Sequence, residues 1–222
     1  MNLNNLIRLM ALSVGTVTML SMLPIASAQE NNAQPLLPSC EVHIWQRAIY
    51  ATESSSVVGG IVGGIIQDGY DKKYPSDSIQ GLMKDVLNID ALPLTLKNIQ
   101  WQTFTKRPVN NIVYEKGVLS EYDFKSLKAS KKKFSDSSND CYIEIYIGKQ
   151  TFSGGTLKSH LFSDLYSRTF YGARFAAKGA ILWDQTSKVS VKDEASKQEA
   201  RKIFGGSFVK ILTKFLEKKM PK

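Results

Sequence analysis

Apolar and polar positions alternate regularly at several places along the chain. In "CEVHIWQ", residues 40–46, Cys40, Val42 and Ile44 fall on one side, and Glu41, His43 and Trp45 on the other. That is the signature of a half-buried strand. "DCYIEIYIG", residues 140–148, repeats it, with Cys141, Ile143, Ile145 and Ile147 expected inward and Tyr142, Glu144 and Tyr146 outward. Residues 157–170 and 173–183 read as further strands, the second grouping Phe175, Ala177, Gly179, Ile181 and Trp183 on one face. "TLKNIQWQTF", residues 95–104, is a strand candidate with poorer alternation.

Elsewhere the period lengthens to that of a helix. Beyond Pro75, with Ser76 or Asp77 as cap, Ile79, Leu82, Met83, Val86 and Leu87 recur at helical spacing. "LSEYDFKSLKAS", residues 119–130, predicts a short helix that turns Leu119, Tyr122 and Leu127 inward. The chain ends in a longer one. Ser196 and Glu199 match a capping box, and Ala200, Ile203, Phe204, Phe208, Ile211, Leu212, Phe215 and Leu216 form one apolar stripe. Lys214, Lys218 and Lys219 suit the negative end of the helix dipole. Gly205–Gly206 costs about 1 kcal/mol per glycine relative to alanine, so this helix is expected either to kink there or to meet another backbone closely. These elements predict a single α+β domain over residues 40–222. Its sheet is expected to be mostly antiparallel, packed by helices that include the amphipathic C-terminal one.

The first 28 residues follow another logic. A start with one charge, Arg8, precedes the apolar "LMALSVGTVTMLSMLPIA" and then small residues before Gln29. The apolar core falls short of the ~20 residues of a spanning helix, so residues 1–28 read as a secretory signal peptide cut after Ala28. The alternative is an uncleaved anchor. Residues 29–39, polar and proline-punctuated, read as a disordered leader. Cleavage would leave 194 of the 222 residues and no transmembrane span. Losing Arg8 lowers the formal charge from +9 to +8.

Export changes the meaning of the two cysteines. An even count in an oxidising compartment points to one Cys40–Cys141 disulfide, with two free buried thiols as the alternative. Cys40 follows "LLPS", yet about a dozen polar residues separate it from the apolar core, so it is read as an ordinary cysteine rather than a lipidated one. The basic surface suits anionic partners. Export argues against nucleic acid among them.

Candidate chemistry is sparse. "VVGGIVGGIIQDG", residues 57–69, fits neither a phosphate loop nor a dinucleotide fingerprint. Gly59 with Gly63, and Gly60 with Gly64, stand at the four-residue spacing that lets a second element approach closely. They are read as an intramolecular close-packing segment, with self-association into a homo-oligomer or membrane insertion as the alternatives. Lys128, Lys131, Lys132 and Lys133, with Phe134 among them, form a basic loop. It is either solvated or a contact for an anionic surface. The two histidines, His43 and His160, lie in no metal-binding or catalytic motif, and neither a metal nor a cofactor is expected.

"CEVHIW" behind a signal peptide, with a second cysteine opening "CYIEIYI", resembles uncharacterised secreted or periplasmic proteins of Gram-negative bacteria. The layout is loosely similar to that of small envelope auxiliary proteins. The resemblance implies a compartment, secreted or periplasmic and peripheral to the outer membrane, and no catalytic residue. The reading expected is a non-enzymatic envelope-associated protein that binds an envelope protein or an anionic lipid surface. The alternatives are a secreted hydrolase using dispersed acids such as Glu41, Asp164 and Asp184, and an oligomeric component built on the glycine pairs.

Overall fold

Two strand pairs with different directions set the architecture of the computed structural model, which describes residues 38–47, 78–153 and 159–220. The elements run β1 (Cys40–Arg47), α1 (Ile79–Leu87), α2 (Leu92–Thr95), α3 (Trp101–Thr105), β2 (Val109–Leu119), α4 (Glu121–Ala129), β3 (Cys141–Ser153), β4 (Ser159–Tyr171), β5 (Arg174–Thr186) and α5 (Glu194–Lys219). The strands form one sheet in the order β2-β1-β3-β4-β5. β1 lies parallel to both β2 and β3, while β3–β4 and β4–β5 are antiparallel. The antiparallel ladders join 13-residue strands and the parallel ones depend on the eight residues of β1, so most of the pairing is antiparallel. The described residues form a single α+β domain.

The parallel half explains why both faces of the sheet are covered. The connection from β1 moves outward to β2, and the next returns across β1 to β3. Crossovers of one hand travelling in opposite directions must pass over opposite faces. Accordingly α1 packs Leu82, Met83 and Leu87 on one face, against Cys40, Val42, Ile44 and the β3 isoleucines. α4 packs Phe124 and Leu127 on the other, against Trp45, Tyr142 and Tyr146. Tyr142, Glu144 and Tyr146, expected outward, are therefore fully buried. β5 keeps its alternation, but the face grouped from its sequence points away from α5. Ala180 and Leu182 pack inward, and Ile181 and Trp183 stay exposed.

Local chemistry places the helix ends. Ser78 caps α1 and accepts from Gly81 N–H at 3.0 Å. Ser120 and Asp123 make the capping box of α4, which exposes Tyr122 and buries Phe124 instead. α5 starts earlier than expected, because Asp193 and Ser196 exchange the capping hydrogen bonds in place of Ser196 and Glu199. Residues 95–104, expected as a strand, instead hold the end of α2 and most of α3, where Pro93 at the second helical position suits a helix start. Gly172 opens the two-residue β4–β5 turn at φ 56°, as a type II′ turn requires. Cys40 and Cys141 sit opposite one another at the starts of β1 and β3 and form the disulfide, with Cα atoms 4.5 Å apart. Residues 1–28, almost all of the 29–39 leader, and Gly59, Gly60, Gly63 and Gly64 lie outside the described residues.

α5 runs unbroken through Gly205–Gly206 and buries its stripe from Ala200 to Leu216, with Ile203 half-buried. A Cβ at Gly205 would meet only the Thr95 methyl at 3.8 Å, and one at Gly206 would meet nothing. Neither glycine is needed for packing. Gly206→Ala is expected to raise stability by about 0.5–1 kcal/mol, measured by urea unfolding. Phe208→Ala, inside the stripe, is expected to cost about 3–5 kcal/mol.

Candidate functional site

The face covered by α4 carries most of the polar chemistry. Glu144 on β3 and Arg168 on β4 are directly opposed and wholly buried. Arg168 Nε donates to Glu144 Oε2 at 2.5 Å, and the Tyr146 hydroxyl donates to the same oxygen at 2.8 Å. The other carboxylate oxygen accepts the Phe134 backbone N–H at 2.7 Å. Arg168 Nη1 reaches the carbonyls of Leu127 (2.7 Å) and Ser130 (3.2 Å), and Nη2 that of Lys132. One ion pair thus holds the end of α4 and the chain beyond it against the sheet. Burial raises the Tyr146 hydroxyl pKa, and the negative Glu144 beside it adds to this, so Tyr146 stays a donor.

Beside it lies a smaller network. His43 Nδ1 is 2.6 Å from Glu115 Oε1 on β2, and its Nε2 stands 3.1 Å from Glu41 Oε1. Ser137 and Asn139 side chains both donate to Glu41 Oε2 at 2.7 Å. Burial alone would raise the Glu41 pKa. The hydrogen bonds from Ser137, His43 and Asn139 outweigh it and hold the group at about 2 against an ordinary 4.5. His43 also stacks on Trp45 at 5.4 Å. The Ser137 hydroxyl donates to the Glu41 carboxylate rather than to the imidazole.

The acids considered for hydrolysis stay apart. Glu41 belongs to that network, Asp164 leans over Gly148, and Asp184 lies on the opposite sheet face beside Lys210 and Lys214, at 3.8 and 3.6 Å. Among the described residues no group of His, Cys, Asp or Glu side chains is arranged to hold a metal ion. None of the described helices is long and apolar enough to cross a membrane.

The basic loop is more tied down than its composition suggested. Lys133 Nζ donates to the carbonyls of Ser137 (2.7 Å) and Asn139 (3.0 Å) and lies over the Tyr142 ring. Lys128 Nζ sits over the Phe124 ring at 4.2 Å. Lys131 and Lys132 keep exposed side chains, and Phe134, about half exposed, meets Trp45 edge-on.

A second cationic place has no counterpart in the sequence reading. Where the α3–β2 turn meets the β4–β5 hairpin, a groove of about 510 Å³ is lined by Thr105, Lys106, Arg107, Thr169, Tyr171, Arg174, Phe175 and Ala176. Among the described residues that line it are three cations and no carboxylate. The Arg107 guanidinium lies over the Tyr171 ring at 5.1 Å. The Tyr171 hydroxyl is buried, with no hydrogen-bond partner among the described residues. Burial raises its pKa and Arg107 opposes that rise. Lys106 ends α3 in the left-handed conformation at φ 57°, strained for a lysine, which places its exposed side chain at the groove.

No protein-family model matches the chain, and neither does any curated protein. Among solved structures it is similar to a hypothetical protein from Chlamydia trachomatis, at 10% identity and a TM-score of 0.36 over 81% of this chain and 94% of that one.

Two measurements check the networks. Arg168→Met leaves a buried carboxylate unpaired and is expected to cost about 3–5 kcal/mol, with faster hydrogen exchange at residues 130–134. Adding Glu144→Leu is expected to restore part of the loss. Glu41, with its lowered pKa, contributes stability that is fully present above about 4.5 and is lost as pH falls towards 2. Glu41→Gln is expected to flatten the stability–pH curve in that window.

Proposed function

We propose that the chain is a non-enzymatic, exported protein that docks on an anionic surface of the bacterial envelope through the groove between the α3–β2 turn and the β4–β5 hairpin. The observation that carries this reading is the composition of the groove. Lys106, Arg107 and Arg174 converge beside the unpartnered Tyr171 hydroxyl, and among the described residues no acidic side chain lines the groove. An acidic headgroup would meet donors on several sides, while the faces of Tyr171 and Phe175 offer an apolar floor to the adjoining chain. The signal-like first 28 residues, the disulfide and the +8 formal charge left after cleavage support the same reading. Lys131, Lys132 and Phe134 supply a second, shallower contact of the same chemistry.

Co-sedimentation of residues 29–222 with vesicles tests it, using phosphatidylglycerol mixed into phosphatidylcholine against phosphatidylcholine alone. Binding is expected only to the anionic vesicles and is expected to weaken as salt rises. With each cation near an anionic surface worth about 1 kcal/mol, the double variant Lys106→Gly, Arg174→Gln is expected to lose roughly 30-fold in affinity. Glycine at position 106 relieves the left-handed strain, so this variant is expected to unfold no earlier than the parent. Equal binding to both vesicle types would overturn the proposal.

A further inference from the structure

β5 is an edge strand without the usual protection. Its 13 residues pair with β4 without a bulge, contain no proline, and carry three charges, Arg174, Lys178 and Asp184, none of them between 179 and 183. Among the described residues no strand lies on its outer side. Ile181 is 72% exposed and Trp183 54% exposed beside that open edge. β2, at the other edge, is broken by register shifts instead. A long, regular, apolar edge is a template for another strand.

The sequence of β5 shows which strand fits. In an antiparallel pairing centred on Ile181, a second copy places Ile181 against Ile181, Ala180 against Leu182, Gly179 against Trp183 and Lys178 against Asp184. Opposed residues share a face, so both apolar exposures are covered together. The indole comes to rest beside Gly179, where the Tyr166 ring already lies 3.0 Å from the place a Cβ would occupy. On the other face, Lys178 is exposed and would join Lys210 and Lys214, 3.8 and 3.6 Å away, around the Asp184 carboxylate, whose Oδ2 makes no hydrogen bond among the described residues. Moving the centre by one residue sets Lys178 against Leu182 or Thr186, and the charge match is lost. We infer that two copies of this chain pair antiparallel along β5 about a two-fold axis at Ile181, joining their five-stranded sheets into one.

Sedimentation equilibrium and cross-linking on residues 29–222, with the Cys40–Cys141 bridge intact, test it. The parent protein is expected to be a dimer whose affinity rises with salt, since both copies are strongly basic; vesicle binding responds to salt with the opposite sign. Ile181→Lys is expected to weaken the dimer on the order of tenfold or more, with an unchanged far-ultraviolet spectrum and with a melting temperature that matches the parent's at dilutions where both are monomeric. Ile181→Cys lies on the axis and is expected to oxidise to a covalent dimer, released by reductant. Gln185→Cys, exposed on the same strand, is expected to remain uncross-linked, because its copy would lie roughly 27 Å away. A monomeric parent protein overturns the inference, which would leave the β5 edge to a different partner. So does cross-linking at Gln185→Cys as complete as at Ile181→Cys. Should Ile181→Lys disturb the fold, the two cysteine variants decide.

Discussion

The buried pair of Glu144 and Arg168 is the constraint on which the α4-covered side of the sheet depends. An ion pair placed in an apolar interior repays its desolvation only when the remaining lone pairs and N–H groups are also met. Here the carboxylate takes Arg168, Tyr146 and the Phe134 amide, and the guanidinium takes three carbonyls from residues 127, 130 and 132. A serine- and lysine-rich stretch that could not bury itself by hydrophobicity is fixed in place by its backbone. That in turn brings Ser137 and Asn139 to Glu41 and lays Phe134 on Trp45.

The strands of β1, β3 and β5 and the stripe of α5 were legible in the sequence because each has a face of one character. What alternation does not disclose is whether the second face meets water or protein. The "YIEIY" of β3 reads as a solvated side, yet the crossover through α4 buries Tyr142, Glu144 and Tyr146. The aromatic flanks of Glu144, and an arginine in mid-strand at 168, were the available signals; they matter only once β3 and β4 are known to be in register. β2 was not recognised, since its pairing with β1 is parallel and comes from distant sequence. Capping was misplaced by a few residues at α1 and α5, where several Ser and Asp side chains compete for the same amides.

The cationic groove was invisible for a different reason. Thr105–Arg107 and Thr169–Ala176 are separated by more than sixty residues, and neither segment is notably basic alone. Only the chain's return from β4 into β5, at the same end of the sheet as the α3–β2 turn, brings the three cations together. The basic loop at 128–133 is conspicuous in sequence, but two of its ammonium groups are engaged by neighbouring carbonyls and rings. Charge density along a chain and charge available to a ligand are separate properties.

The bond between Cys40 and Cys141 closes a covalent ring around β2 and the first four helices, and leaves β4, β5 and α5 outside it. A protease that cuts any one peptide bond between those two cysteines therefore opens the ring without dividing the molecule. The nicked product keeps its mass on a gel until a thiol is added. In a compartment that contains proteases and lacks reductants, the half of the protein that includes the longest crossover tolerates a cut that would release a fragment from an unbridged chain.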